Sequence, residues 1–261
     1  MTKNSKWAKW AAISCTHCPY QSERAIERLL KELKGRELTH FIHLGDVVDA
    51  SGTASVHSSD IVSHTLYDEY VVASDMLRRI RGVLPSDCKL ICLDGNHDDN
   101  VQRSDRRRIP KDLRELCDPR KMAGVADEYK LWKHVPYRHG FRGCYQVGAV
   151  IFAHGFATGG NSDELEAISL AMACGGHAHR LVVRGHTHRP IPPTQCKRTA
   201  RVKLPWHYAN VGYMAFDTRQ DYTYRFDITQ WGRAVLIGET KIGRPDRLGK
   251  DAWKAQLISL D

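Results

Sequence analysis

Apolar runs alternate with amphipathic stretches through the first hundred residues, and the alternation predicts a β-α-β-α-β order. Trp10–Ser14 reads as a short buried strand that stops at Cys15-Thr16-His17-Cys18-Pro19. From Gln21 to Lys34, the residues Ile26, Leu29, Leu30 and Leu33 recur at the spacing of one helix face, and Gly35 ends the run. Thr39–Leu44 is a second strand. Ser, Gly and Thr crowd the loop from Ala50 to Ser59, and a second helix is expected over Asp60–Ile80. Lys89–Leu93 is a third strand ending in Asp94-Gly95-Asn96-His97-Asp98. This order implies a parallel sheet with helices on its faces.

The second half of the chain continues the pattern. Cys144–Val147 and Ala149–Ala153 read as paired strands around Gly148, the second ending in His154-Gly155. Asp163–Cys174 is a helix closed by Gly175-Gly176. Leu181–Arg184 is a strand ending in Gly185-His186-Thr187-His188, and further strands are expected near 206–216, 222–229 and 233–239. No internal repeat or linker interrupts the 261 residues, so one domain is expected over 1–261, with a core at about 10–240 and a basic insertion at about 100–140.

Composition narrows the function classes. Hydrophobic residues make up 42% and charged residues 26%, as in ordinary globular proteins, and no apolar run reaches the length of a membrane span. No export signal is read at the start, so the cytoplasm is the expected compartment. In that setting the eight cysteines (15, 18, 88, 92, 117, 144, 174 and 196) are not expected to form a disulfide framework, and the lone Cys15/Cys18 pair is a poor zinc ribbon. A formal net charge of +9 favours phosphorylated or polyanionic partners, DNA, RNA or a nucleotide among them.

Five strand ends carry residues suited to metals: His17, Asp46 with Asp49, Asn96 with His97, His154, and His186 with His188. Carboxylate, imidazole and amide oxygen are the donors of hydrolytic two-metal sites, and Asp46 suits the bridging position. Gly176-His177-Ala178-His179 repeats the last motif, but it follows a helix and reads as a surface turn. Arg198 and Arg201 follow the last histidine pair closely enough to be candidate substrate contacts. Tyr137, Phe141 and Trp206 are candidate stacking surfaces.

These motifs in this order resemble the calcineurin-like metallophosphoesterases, whose pattern is D-x-H, G-D-x-x-D, G-N-H-[DE], H and G-H-x-H. Here they stand as Cys15-Thr16-His17, Gly45-Asp46-Val47-Val48-Asp49, Gly95-Asn96-His97-Asp98, His154 and Gly185-His186-Thr187-His188. Tyr208-Ala209-Asn210-Val211-Gly212 looks like the family's late strand end. The resemblance implies a four-layer α/β/β/α sandwich and two divalent metal ions: zinc, iron or manganese. The first ion would take Cys15, His17, Asp46 and His188, and the second Asp46, Asn96, His154 and His186. It also implies phosphodiester or phosphomonoester hydrolysis by in-line attack of a hydroxide held between the ions. His97 would be catalytic at the leaving oxygen, and Asp49 would orient it. Cys15 departs from the family aspartate, and a thiolate there favours zinc or iron. The competing expectations are a catalytically weakened binding module of the same fold and a nucleic-acid-binding protein that uses its basic segments.

Overall fold

The computed structural model describes residues 7–50, 64–100, 117–199, 201–216 and 228–261. In the first sheet, β1 (Trp7–Ile13), β2 (His40–His43), β3 (Lys89–Leu93) and β4 (Lys133–Val135) run parallel. Two antiparallel strands, β10 (Ala234–Lys241) and β11 (Trp253–Ser259), extend it in the order β11-β10-β1-β2-β3-β4. The second sheet holds β5 (Cys144–Val147), β6 (Val150–Ala153), β7 (Leu181–Arg184), β8 (Pro190–Lys197) and β9 (Lys203–Val211), ordered β5-β6-β7-β9-β8. Its strands β6, β7 and β9 are mutually parallel.

Alternation along β1 shows how the layers form. Trp10 and Ala12 face the second sheet and pack with Ile42, Ile91, Phe152, Val183 and Ala209. Ala11 and Ile13 face the other way, onto helices α1 (Glu23–Leu33) and α2 (Leu66–Val83), and two short helices, α3 (Asn96–Asn100) and α4 (Ala126–Tyr129), lie between β3 and β4. The opposite face of the second sheet packs Ile151, Ala153 and Val182 against α5 (Ser162–Ala173). The result is the expected helix–sheet–sheet–helix sandwich, its buried faces set by the period of two that every strand imposes. Trp10 anchors the layer between the sheets, its ring edge-on to Phe152 with centroids 5.1 Å apart. A side chain on Gly238 would run into Trp10, so the sheet pairs glycine with the indole at that position.

Local signals set the helix starts. Ser22 caps α1 by accepting from Ala25 N–H at 3.2 Å. Thr65 and Asp68 form a reciprocal capping box that begins α2 later than the predicted Asp60, although residues 60–63 lie outside the described ones. Strands β4, β8 and β11 were not expected. Most of the strand expected near 222–229, and residues 101–116 of the basic insertion expected at about 100–140, lie outside the described residues. Within the rest of that insertion, Lys133–Val135 is the edge strand of the first sheet. Among the described residues no helix is long and apolar enough to cross a membrane.

His40 sits between Thr39 and the sheet edge, buried, with Thr39 Oγ1 2.9 Å from its Nδ1. Burial, helped by the Lys89 charge, pushes its pKa down to about 4. The folded state therefore keeps His40 neutral while the unfolded chain protonates near its ordinary value. Its contribution to stability is present above about pH 6.5 and is lost as pH falls through about 4. The loss reaches on the order of 2–3 kcal/mol. Denaturant titration of His40→Gln against the parent, run in chelator at falling pH, is expected to show a shallower acid loss in the variant. Parallel curves would assign the acid lability elsewhere.

Candidate metal centre

The C-terminal tips of β1, β2, β3, β6 and β7 converge at one end of the two sheets. Main-chain bonds lock the first two loops together: Cys15 N–H to Gly45 O at 2.9 Å, His17 N–H to Asp46 O at 3.0 Å and Cys18 N–H to Val47 O at 2.8 Å. The third loop closes over them so tightly that a Cβ on Gly95 would overlap Asp46 Oδ1. Asp98 ties the third loop to the second, accepting from the N–H groups of Gly95 at 2.8 Å, Val47 at 3.1 Å and Val48 at 3.2 Å. Burial, with Asp46 and Asp94 nearby, raises the Asp98 carboxyl to about 7.

Five of the seven candidate ligands have left-handed backbone: Cys15 (φ 55°), His17 (45°), Asp46 (53°), His186 (67°) and His188 (61°). Each such residue costs on the order of 1 kcal/mol, and such strain persists where surrounding structure over-determines it. Here the strained turns swing side chains from separate strands onto one point.

Around that point the donors and acceptors do not match. His154 Nδ1 lies 2.8 Å from the Leu44 carbonyl, which can only accept, so Nδ1 carries the proton and Nε2 is bare. That bare nitrogen faces Asp46 Oδ2 at 3.1 Å and Asn96 Oδ1 at 3.2 Å. His17 repeats the arrangement. Its Nδ1 donates to the Asp49 carboxylate at 2.9 Å, which leaves Nε2 bare, 3.4 Å from His188 Nε2 and 3.8 Å from Asp46 Oδ2. His186 Nε2 and His188 Nδ1 are buried with no hydrogen-bond partner. Acceptors gathered in this way repel one another unless a cation lies between them. The residues therefore fit metal ions, with Asp46 Oδ2 shared by both sets.

Electrostatics agree. Burial alone would raise the Asp46 carboxyl, but His154, His97 and His17 outweigh burial and hold it well below its ordinary range. Burial drives His186 down to about 3, with His154 adding to it, and drives His188 well below its ordinary value beside His17. Both rings are thus neutral and able to ligate. Cys15 is fully buried; burial, then Asp46, holds its thiol well above the ordinary value. Its sulfur lies within 4.8 Å of the donor atoms of His17 and His188, and equally of Asp46 and His154, so it borders both ion positions. Cys18 faces away, its sulfur 3.9 Å from Met76 Sδ in the helix-side core.

His97 stands at the open side. Its main-chain N–H donates to Asp46 Oδ1 at 2.9 Å and its Nδ1 to the Asp49 carbonyl at 2.6 Å. Burial alone would lower its pKa, but Asp46 and Asp49 outweigh burial and raise it. Asp49 thus touches both histidines, His97 chiefly through its carbonyl and His17 through its carboxylate, with His97 Nδ1 3.5 Å from that carboxylate. Asn96, His97 and His186 are half-buried, whereas Cys15, His17, Asp46, His154 and His188 are buried. Phe216, Tyr213 and Trp231 close the Cys15 side, Trp231 lying 4.4 Å from the His188 ring.

Several supporting residues were not singled out from sequence. His43 accepts from Gly45 N–H at Nδ1 and reaches Thr16 Oγ1 at 3.1 Å, bracing the first two loops. Asp163 in the first turn of α5 receives Thr187 Oγ1 at 3.1 Å, Asn210 Nδ2 at 2.7 Å and Arg189 at 2.9 Å, and so holds the His186–His188 loop. A helix-start aspartate looks like a dipole-favoured residue in sequence, although its partners Thr187 and Asn210 both lie in motifs read there. Arg198 and Arg201 do not join the cluster. They sit in the exposed β8–β9 turn, about 25 Å of strand from the Asn210 end of β9. Trp206 packs toward α5, its Nε1 donating to the His177 carbonyl at 2.9 Å, and His177 and His179 occupy a turn as expected.

Comparison with known proteins matches the chain to the calcineurin-like phosphoesterase family model over residues 8–190. No curated protein matches the sequence. Among solved structures, Vacuolar Protein Sorting 29 from Cryptosporidium parvum is similar at 12% identity and TM-score 0.45, covering 97% of this chain and 98% of that one. Vps29 from Entamoeba histolytica complexed with zinc is similar at 12% identity and TM-score 0.42, covering 97% and 99%. PhoD is similar at 10% identity and TM-score 0.45, covering 98% and 69%. With the matched segment spanning β1 through the His186–His188 loop, the chain belongs to the calcineurin-like phosphoesterase family.

Proposed function

We propose that the protein is a metal-dependent phosphoesterase acting on a nucleotide or nucleic-acid phosphoester. The observation that carries this reading is the set of bare imidazole nitrogens and oxygens facing one another around Asp46 Oδ2. Bound there, divalent ions would neutralise phosphoryl charge and lower the pKa of water to furnish a nucleophile. Cys15, His17, Asp46 and His188 would hold one ion, and Asp46, Asn96, His154 and His186 the other.

The chain's own groups supply the rest. His97, half-buried beside Asn96 and His186, would meet the phosphoryl group and give a proton to the leaving oxygen. The Asp49 carbonyl accepts from its Nδ1, so Nε2 is the ring nitrogen that would be offered to substrate. Tyr137 stacks on Phe156 at 4.2 Å and Phe156 on His139 at 3.8 Å, a series of rings that starts 5.8 Å from His154. Those rings and the net charge of +9 support a base-bearing, anionic substrate.

Three experiments test the reading. With zinc, iron or manganese supplied under anaerobic purification, the chain is expected to bind about two ions per molecule and to hydrolyse phosphodiester or phosphomonoester substrates from a panel that includes single- and double-stranded nucleic acid. A metal-free, inactive chain would sink the proposal. His97→Ala is expected to lower turnover by about 10²–10⁴ with metal content unchanged; loss of metal instead would make His97 a ligand. Asp49→Ala, which frees His17 Nδ1, is expected to weaken zinc binding by about 10- to 100-fold in calorimetry, and unchanged affinity would remove its role behind His17. In the same assay Cys15→Asp is expected to shift preference from zinc toward manganese, whereas an unshifted preference would show that Cys15 is no ligand.

A further inference from the structure

Where β5 begins and α5 ends, two half-buried cysteines meet, Cys144 lying across the sheet from Ala153. Cys144 and Cys174 pack against the same cluster between the second sheet and α5, Ala173 lies against Gly140 beside them, and the Cys144 thiol donates to the Gly140 carbonyl at 3.3 Å. Arg180 lies against them, 1% exposed. Its guanidinium donates to Gln146 Oε1 at 3.2 Å and to the Cys174 carbonyl at 3.4 Å, and its Nε has no partner. Among the described residues no carboxylate forms an ion pair with Arg180. A buried cation without a counter-ion is costly, and a thiolate at Cys174 supplies one. Glu166 is the acidic group that bears on Cys144, and it is already tied to Arg184 at 2.8 Å.

We propose that Cys144 and Cys174 form an oxidisable dithiol, a modification site at which peroxide converts the pair to a disulfide joining β5 to the end of α5. The Cys174 sulfur attacks a peroxide oxygen, the O–O bond breaks, and a sulfenic acid and water result. The Cys144 sulfur then displaces water from the sulfenic sulfur. Two thiols and one peroxide become one disulfide and two waters, with both electrons and both thiol protons accounted for. The division of labour follows from the surroundings. Arg180 donates to the Cys174 carbonyl and bears on its thiol, whereas Cys144 donates to Gly140 and has Glu166 as its charged neighbour, so negative charge is favoured on Cys174. Cys174 is the attacking group and Cys144 the resolving one.

Both residues fall on one tryptic peptide, Gly143–Arg180, and half-buried Cys117 is an internal control. Freshly reduced full-length protein is exposed to hydrogen peroxide, quenched with iodoacetamide and digested. The peptide is expected to lose two hydrogens, to take no label and to recover both labels after dithiothreitol, at least about tenfold faster than Cys117 oxidises. In Cys144→Ser, which preserves size, the sulfenic acid on Cys174 is expected to persist and to be trapped by dimedone. Arg180→Met, checked for folding by circular dichroism, is expected to slow the reaction at Cys174. Equal oxidation of Cys117 and Cys174, or a peptide that keeps both labels, would overturn the assignment.

Discussion

The arrangement at this end of the sheets depends on a mismatch: acceptors face acceptors. A carbonyl fixes the tautomer of His154 and a carboxylate that of His17, so the bare nitrogens point at Asp46 Oδ2 and at each other. Strained backbone at five of these positions, and glycines where neighbouring loops touch, bring the groups together. Such a construction raises the energy of the ion-free fold, and bound cations would offset it. Asp98, clasping three main-chain N–H groups, keeps the loops in register while this holds.

The two halves of the centre are unlike in more than the Cys15 substitution. Cys15, His17 and His188 are buried beside Phe216, Tyr213 and Trp231, while Asn96 and His186 stand beside half-buried His97. A soft, buried donor set suits retention of an ion, and a harder, more open one suits exchange and substrate approach. This asymmetry gives Cys15 a physical setting: sulfur costs less to bury than a carboxylate in a pocket walled by aromatic rings.

What the sequence disclosed and what it hid follow from the same rule. Each metal motif comes directly after an apolar run, so the strand tip and its ligand are legible together, as at Phe41–Leu44 before Asp46 or Leu181–Arg184 before His186. Strands β4, β8 and β11 lack that signature. The first has three residues, the second carries Pro190, Pro192 and Pro193 at a sheet edge, and Trp253–Ser259 exposes alternate residues. Because β8 was hidden, Arg198 and Arg201 looked closer to His188 than they are; nearness in sequence was spent on a hairpin. Asp49 was legible as a partner for a histidine, but its division between two histidines needs three dimensions.

Helix α5 shows why such supports escape a strand-tip reading. Its first turn places Asp163 under Thr187, Asn210 and Arg189, and Glu166 accepts from the Phe156 and Ala157 N–H groups beyond His154. One helix therefore braces the loops that present His154, His186 and His188. Arg184, wholly buried, joins Asp163 and Glu166 at 3.3 and 2.8 Å, so the brace is an ionic lattice rather than a packing contact. Because buried ion pairs lose most when one partner is removed, the lattice holds as a unit or not at all. The metal ligands of the second sheet are consequently only as well ordered as a helix that carries none of them.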